Sequence, residues 1–319
     1  MEHRLVEVAG TRIHLVEEGR GPLVVLVHGF PESWFSWRRQ LPALAAAGFR
    51  AAAVDVRGYG RSSHPAEVSA YRLVELAADL AGVVAALGDG PAVLVGHDWG
   101  SPIVSTTALL HPASVRGLAL LSVPYTPRGG PRPTEVYARV GGDDTFYIDY
   151  FQTPGRAEAE IEPDVRGWLA GVYASLSGDT LRPGREGSAF FLPRGARMRD
   201  RFVTDRRPAW LTDDELDAYA GEFERTGLTG ALNRYRNVDR DWEDLEPFDG
   251  APIPQPSLFI GGSRDAVTTW NRPAIEAFPA TLPGLLGAHV LPGVGHWVQQ
   301  EAPDEVNRLL LEFLAALPR

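Results

Sequence analysis

Short apolar runs separated by stretches with helical periodicity constrain the fold of this 319-residue chain more than any other feature. Strand-like runs lie at residues 4–8, 12–17, Leu23–Val27, 51–54, 92–95 and 118–121, and helical stretches lie at 71–87 and 101–110. Continuous apolar runs are typical of strands buried on both faces, and helices between them favour parallel strand order. We therefore expect an α/β fold with a mostly parallel, twisted sheet flanked by helices.

The strand pattern stops at about Pro124 and resumes after about Pro252. Between them tyrosine, tryptophan, arginine and acidic residues dominate, and two stretches have helical character, residues 156–176 and 213–225. Two more strand-like runs and a C-terminal amphipathic helix follow, at 257–260, 289–291 and 304–317. A sheet that is interrupted by helices and then completed predicts one core domain, residues 1–124 and 253–319, with a helical cap inserted at 125–252.

Cysteine and lysine are absent from the sequence. Their absence excludes a thiolate nucleophile, disulfides, thiolate metal sites and Schiff-base chemistry, which needs an amine. The formal net charge of −10 argues against a nucleic-acid partner. No metal-ligand motif such as H-E-x-x-H is present, and the glycines near Tyr59 lack the third glycine of a dinucleotide fingerprint. We therefore expect no metal and no cofactor.

The sequence also bears on location. No window approaches the roughly 20 consecutive apolar residues of a membrane helix. The first residues show no signal-peptide pattern. We therefore expect no membrane partner and a cytoplasmic location. A homo-oligomer is possible, but the sequence does not indicate one.

The segment Gly96-His97-Asp98-Trp99-Gly100 carries the most chemical information, because a predicted strand meets a predicted helix there. It follows the G-x-S-x-G pattern of a nucleophile elbow, with aspartate in the place of serine. Strand and helix pass closely at such a turn, so the flanking residues must be small, as Gly96 and Gly100 are. The helix N-terminus favours the ionised carboxylate. We predict Asp98 as a nucleophile; the alternative is an ordinary helix N-cap.

In this arrangement an acid and then a histidine follow the nucleophile along the chain. Asp265 comes just after the run at 257–260, and His296 just after the run at 289–291. Both therefore lie at the carboxyl ends of predicted strands, where open α/β sheets carry their sites. The stretch Ser122-Val123-Pro124, which follows the strand after the elbow and is another place where an acid could lie, has no carboxylate. Asp265 and His296 are thus the predicted acid and base.

The elbow, together with His28-Gly29-Phe30-Pro31-Glu32-Ser33-Trp34, resembles the soluble epoxide hydrolases of the α/β-hydrolase superfamily, in their bacterial, cap-containing form. The matching motifs lie near both ends of the chain, so the resemblance covers essentially the whole core. It implies backbone N–H donors of an oxyanion hole at Phe30 and Trp99. It also implies a cis bond between Phe30 and Pro31.

Two segments of the insertion resemble those that carry the ring-opening tyrosines of this family. The segment Phe146-Tyr147-Ile148-Asp149-Tyr150-Phe151-Gln152 implies Tyr147 as one donor, with Tyr150 as the second candidate there. The segment Leu232-Asn233-Arg234-Tyr235-Arg236-Asn237 implies Tyr235. An aspartate nucleophile suits both alkyl halides and epoxides, but an epoxide leaves as a basic alkoxide and needs a proton donor. The tyrosine pair therefore favours an epoxide.

The predicted activity is that of an epoxide hydrolase, with a small-molecule epoxide and water as substrates. The nearest alternative is a haloalkane or haloacid dehalogenase, because Trp99 would suit a halide site. A non-catalytic protein that binds a small ligand is a remote alternative, and an esterase is disfavoured because the elbow has no serine. For the substrate pocket we predict five aromatic residues, Trp34, Trp168, Phe190, Trp210 and Trp297.

Overall fold

The computed structural model describes residues 1–88 and 90–317. The strands are β1 (Glu2–Val8), β2 (Thr11–Glu18), β3 (Leu23–Val27), β4 (Arg50–Val54), β5 (Ala92–His97), β6 (Val115–Leu121), β7 (Thr145–Phe146), β8 (Phe191–Leu192), β9 (Ser257–Gly262) and β10 (Leu285–Leu291). The α-helices are α1 (Gln40–Ala46), α2 (Leu73–Leu87), α3 (Gly100–Leu110), α4 (Pro133–Gly141), α5 (Tyr147–Gln152), α6 (Arg156–Ile161), α7 (Val165–Leu176), α8 (Asp213–Thr226), α9 (Thr229–Asn233), α10 (Val238–Asp244), α11 (Ala266–Trp270), α12 (Arg272–Glu276), α13 (Phe278–Thr281), α14 (Val298–Glu301) and α15 (Pro303–Ala316). Short 3₁₀ helices lie at Trp34–Trp37, Val68–Tyr71, Pro112–Ser114, Glu162–Asp164, Ser188–Phe190, Met198–Arg201, Tyr235–Asn237 and Glu246–Phe248. Within the described ranges, none of the helices has both the length and the apolar character that crossing a bilayer requires.

Eight of the strands form one sheet in the spatial order β1-β2-β4-β3-β5-β6-β9-β10. The pairs β1/β2 and β2/β4 are antiparallel. From β4 to β10 every neighbouring pair is parallel. Parallel neighbours need crossover connections, which helices supply here. The predicted α/β fold with a mostly parallel sheet is confirmed.

Helices cover both faces of this sheet, which explains why its central strands are apolar without alternation. In β3, Val24 and Leu26 pack in a cluster with residues of α1 and α15, whereas Val25 and Val27 pack in a cluster with residues of α2 and α3. Successive side chains of a strand point to opposite faces. A strand that is buried on both faces therefore has no position for a polar side chain.

The chain between β6 and β9 forms the inserted helical cap. It contains α4 to α10 and a small sheet in which β7 pairs with β8 in antiparallel orientation. No strand is predicted there from the sequence, because two residues are too few to show an alternating pattern. The core–cap boundaries at 124/125 and 252/253 stay a prediction.

The predicted helical character of residues 156–176 is confirmed, and the structure divides this stretch into α6 and α7. The two helices are separated by the 3₁₀ helix Glu162–Asp164, in which Pro163 is the second residue. Proline has no backbone N–H to continue the hydrogen bonding of a helix. Asp164 then caps α7, because its side chain accepts the N–H of Gly167 at 2.9 Å.

The turn from β5 to α3 brings backbone atoms into direct contact. A Cβ atom on Gly96 would lie 2.3 Å from the carbonyl oxygen of Gly100, and one on Gly100 would lie 2.1 Å from that of Val27. Real Cβ atoms do not approach that closely, and backbone atoms cannot move aside as a flexible side chain can. Both positions therefore require glycine, as the elbow pattern predicts.

Replacement of Gly96 by alanine is expected to lower the free energy of unfolding by about 1–3 kcal/mol or more, because it overpacks this turn. The matched control is Gly221→Ala, since Gly221 lies inside α8 with open space around it. The control is expected to raise the free energy of unfolding by about 0.5–1 kcal/mol, as alanine is the better helix former. Denaturant unfolding measures both. Equal effects of the two substitutions would contradict the packing argument.

Candidate active site

Asp98 lies in the turn between β5 and α3 and faces the loop after β3. Its backbone has a φ of +50°, a left-handed conformation that costs a non-glycine residue roughly 1–2 kcal/mol. The Oδ1 atom accepts the backbone N–H of Phe30 at 2.9 Å. A Cβ atom on Gly29 would lie 2.3 Å from the same Oδ1. The glycine therefore lets the backbone of this loop approach the carboxylate, and the Phe30–Pro31 bond in the loop is cis.

His296 lies between two carboxylates. Its Nε2 is 3.5 Å from Oδ2 of Asp98, and its Nδ1 is 3.2 Å from Oδ1 of Asp265. Asp265 begins α11 as its N-cap, where it accepts the N–H of Val267 at 3.0 Å. The hydroxyl of Thr268 lies 2.9 Å from its other oxygen. The structure thus brings together the three residues predicted as nucleophile, base and acid.

The backbone of His296 is held by groups that the sequence analysis does not single out. Its carbonyl accepts hydrogen bonds from His97 Nε2 at 2.8 Å and from the Ser122 hydroxyl at 2.6 Å. His97 Nδ1 lies 2.7 Å from Oε2 of Glu32, and both side chains are fully buried. His97 and Glu32 belong to the two motifs that flank the nucleophile. That position is the only sequence signal for their role.

Asp98 and His296 shift each other's ionisation. Burial raises the pKa of Asp98, but the hydrogen bond and charge of His296, with the charge of His97 and the N–H of Phe30, outweigh burial, and this pKa lies below its ordinary value. Burial lowers the pKa of His296, but Asp265 and Asp98 outweigh it and raise this pKa well above its ordinary value. At neutral pH the site therefore contains an ionised carboxylate beside a protonated imidazole.

Two tyrosines of the cap face this carboxylate. Tyr147 is the first residue of α5, and Tyr235 is the first residue of the 3₁₀ helix Tyr235–Asn237. Their ring centroids are 6.0 Å apart. Burial raises the pKa of both hydroxyls well above the ordinary value, and the charge of Asp98 raises them further. Both hydroxyls are therefore protonated at neutral pH and can donate hydrogen bonds.

The two tyrosine segments are tied to each other through their backbones. Gln152 donates a hydrogen bond from Nε2 to the carbonyl of Tyr235 at 2.9 Å. Arg236 donates from Nε to the carbonyl of Phe151 at 3.1 Å and forms an ion pair with Glu158. These hydrogen bonds therefore fix the position of each segment relative to the other, although many residues of the cap separate them in the chain.

Tyr150, the second candidate in the first segment, has a different environment. Its hydroxyl donates a hydrogen bond to Glu160, and the guanidinium of Arg156 lies 4.1 Å from its ring centroid. Tyr150 does not line the cavity that contains Asp98. Tyr147 therefore remains the better candidate for a proton donor.

These groups border one small cavity. Asp98, His296, Tyr147 and Tyr235 lie in its wall. The rest of the wall is apolar and consists of Phe30, Pro31, Phe151, Trp168, Val172, Leu176, Phe190, Met198 and Val267. The sequence analysis does not name Val172, Leu176, Met198 or Val267 as wall residues, because an apolar side chain in a helix gives no sign of which space it borders.

Of the five predicted pocket aromatics, Trp168 and Phe190 line the cavity, whereas Trp34, Trp210 and Trp297 do not. Trp34 packs edge-on against His3, with ring centroids 5.3 Å apart. Trp210 donates its indole N–H to the Ser177 hydroxyl at 3.0 Å. Trp297 is fully buried and donates its indole N–H to the carbonyl of Tyr173 at 3.2 Å. Each of these three indoles is engaged elsewhere in the fold, and their part in substrate binding stays a prediction.

This chain is similar to known proteins over nearly its whole length. The family model described as alpha/beta hydrolase fold matches residues 22–303. Epoxide hydrolase B of Mycobacterium tuberculosis is 43% identical over 99% of this chain and 98% of its own length. A solved structure of an epoxide hydrolase from an endophytic Streptomyces is 66% identical, with a TM-score of 0.97 over 99% of this chain and 96% of that one. Epoxide Hydrolase A from Mycobacterium thermoresistibile is 44% identical, with a TM-score of 0.93 over 99% of both chains. The chain belongs to the epoxide hydrolase family of the α/β-hydrolase fold.

The substitution Asp98→Asn is expected to lower the pKa of the His296 imidazole. It removes one of the two carboxylates that raise this pKa, while the burial that lowers it is retained. An NMR titration of the imidazole resonances in both proteins measures the shift. Replacement of the exposed Asp213 by asparagine is the control and should leave the titration of His296 unchanged. An unchanged or higher pKa in Asp98→Asn would contradict the electrostatic coupling.

Proposed function

We propose that this chain opens epoxides to vicinal diols through a covalent ester of Asp98. The observation that carries the proposal is the arrangement, around one cavity, of an ionised carboxylate and two protonated tyrosine hydroxyls. A carboxylate alone would suit several leaving groups. Hydroxyl donors suit an epoxide oxygen in particular, because it leaves as a strongly basic alkoxide. Similarity to epoxide hydrolases over nearly the full chain supports the same activity.

In the first step, a carboxylate oxygen of Asp98 attacks one ring carbon, and the bond from that carbon to the ring oxygen breaks. Tyr147 and Tyr235 donate hydrogen bonds to the ring oxygen, and one of them transfers its proton to the forming alkoxide. The product is a hydroxyalkyl ester of Asp98. The ester has no charge, so His296 loses one of its two anionic neighbours and its pKa falls. The proton that His296 releases restores the tyrosine.

In the second step, neutral His296 removes a proton from water, and the resulting hydroxide attacks the carbonyl carbon of the ester. Asp265 orients the imidazole and stabilises its charged form. The backbone N–H groups of Phe30 and Trp99 stabilise the tetrahedral oxyanion, each by roughly 3 kcal/mol. The ester bond breaks, and the proton of the carboxylic acid formed on Asp98 passes to the departing alkoxide. The diol leaves, and Asp98 is ionised again beside a protonated His296. The cycle consumes one epoxide and one water.

The expected substrate is a small epoxide with apolar substituents, because the wall beyond the polar groups is apolar. A dehalogenase remains the nearest alternative, as an aspartate nucleophile also displaces halides. Release of halide from haloalkanes, measured beside diol formation from epoxides, separates the two activities. A protein that only binds a small ligand would give neither product.

A cytoplasmic location is part of the proposal and is tested by cell fractionation.

A single turnover in ¹⁸O-labelled water tests the covalent scheme, with enzyme in excess over the epoxide. The first diol is expected to contain no label, because its new oxygen comes from the carboxylate of Asp98. The label is expected in Asp98 itself, which mass spectrometry of the peptide detects. Labelled diol in the first turnover would instead mean direct attack of water on the epoxide. The Asp98→Asn variant is the control and should form no ester.

Removal of either tyrosine hydroxyl is expected to slow formation of the ester. The Tyr147→Phe and Tyr235→Phe variants each lose one of two donors, and the double variant is expected to lose about 10²- to 10⁴-fold in the rate of this step. Stopped-flow measurement of ester formation gives the rate directly. Tyr150→Phe is the matched control, because that hydroxyl bonds Glu160 outside the cavity, and it should react at close to the wild-type rate. A double variant that forms the ester at the wild-type rate would contradict the role of the pair.

A further inference from the structure

The cap docks directly on the loop that carries His296. The docking segment, residues 176–181, begins at the last residue of α7. The carbonyl of Leu176 accepts the backbone N–H of His296 at 2.8 Å. A Cβ atom on Gly178 would lie 2.1 Å from the carbonyl oxygen of Gly293, and one on Gly295 would lie 2.4 Å from the nitrogen of Gly178. Cap backbone and catalytic loop are therefore in contact with no side chain between them.

The acid loop is attached to the same segment. Arg264, the residue before Asp265, donates hydrogen bonds to the carbonyls of Gly178 and of Leu181, the latter at 2.8 Å. It also forms an ion pair with Glu186 at 3.1 Å. The docking segment thus contacts the loops of both residues that act after the ester has formed.

One carboxylate connects the docking segment to both sides of His296. Glu301, the last residue of α14, accepts the N–H of Gly178 at 2.8 Å and that of Gly295 at 2.9 Å on Oε2. Its Oε1 accepts the N–H of Trp297 at 3.0 Å. Gly295 and Trp297 are the two neighbours of His296 in the chain. The same side chain therefore binds the cap at Gly178 and the backbone N–H groups of the residues before and after the base.

We propose that Glu301 is a positioning residue, which holds the His296 loop against the cap in the orientation needed for hydrolysis of the Asp98 ester. The inference rests on the proposed function, because it assigns Glu301 to the second step of that reaction. Glu301 does not line the cavity. Its effect must therefore pass through the backbone of the residues on either side of His296.

The two steps of the reaction depend on this loop to different extents. The nucleophile is fixed by its own turn and by the N–H of Phe30, and the tyrosines are fixed within the cap. Hydrolysis of the ester needs the imidazole, whose contacts at 3.5 and 3.2 Å are at the long end of hydrogen-bonding distance. A small displacement of the loop would lose them. Loss of Glu301 should therefore slow the second step more than the first.

The charge of Glu301 depends on the same three donors. Burial raises the pKa of this carboxyl to about 7, with a further contribution from the charge of Asp179, while the three N–H groups act in the opposite direction. Its hydrogen-bond partners are backbone groups rather than a cation. The substitution Glu301→Gln keeps the shape of the side chain but replaces one of its two acceptor oxygens by an NH₂ group, which is a donor facing N–H groups that need an acceptor. It is therefore the variant that weakens this attachment with the least change in volume.

Rapid-quench mass spectrometry of the Glu301→Gln variant tests the proposal, because it follows formation and loss of the Asp98 ester in one experiment. We expect the ester to form at close to the wild-type rate and to break down about 10- to 100-fold more slowly, so that it accumulates. When breakdown limits turnover, kcat and KM fall together and kcat/KM changes little. A protein that is merely destabilised would not show a fall in kcat with an unchanged kcat/KM. If both steps slow equally, or neither slows, the positioning role is wrong.

Glu160→Gln is the matched control. Glu160 is also a half-buried glutamate that accepts two backbone N–H groups, those of Met198 at 3.0 Å and Arg199 at 2.9 Å, but it does not contact the catalytic loops. It should show no accumulation of ester. If Glu301→Gln does not fold, Glu301→Asp, which retains the charge but is shorter by one methylene, should show the same split to a smaller degree. A wild-type chain that forms no ester would instead refute the proposed function.

Discussion

The close contact of β3, β5 and α3 around Asp98 is the constraint on which the rest of the structure depends. Backbone atoms of the three elements touch where Gly96 and Gly100 lie, so the turn between them cannot relax. This contact holds Asp98 in a left-handed conformation that a free chain would avoid. It also brings the carboxylate within hydrogen-bonding distance of the Phe30 N–H. The packing of a large parallel sheet thus supplies the energy that keeps one strained residue in place.

The charged groups and the cap residues of the site are arranged around that fixed carboxylate. His296 lies between Asp98 and Asp265 and is stabilised in its protonated form for as long as both are ionised. In the proposed reaction the loss of one charge converts this cation into a base, so the first step prepares the second. The cap contributes two hydroxyl donors on one side of the cavity. On the other side it contacts the backbone beside His296, where Glu301 joins the two parts.

Much of this could be predicted from the sequence. Apolar runs indicate the central strands, because a strand buried on both faces needs an unbroken run. The elbow can be recognised because its glycines and its aspartate lie within five consecutive residues. The acid and the base follow from chain order and from their positions at the ends of strands. Pro163 also indicates the division between two cap helices, because proline lacks the N–H that a helix needs.

The sequence by itself thus determined the class of fold, the helical insertion and the residue types that meet around the nucleophile, because these depend on local pattern and chain order. Only the tertiary structure decided which aromatic side chains border the cavity. Trp168 does so, whereas Trp34 and Trp210 are the same type of residue but contact other neighbours. Only the tertiary structure joined Glu301 to Gly178, which are far apart in the chain. The physical reason is the same in both cases: a side chain's neighbours are set by how elements pack, and packing distances are not contained in any local run of residues.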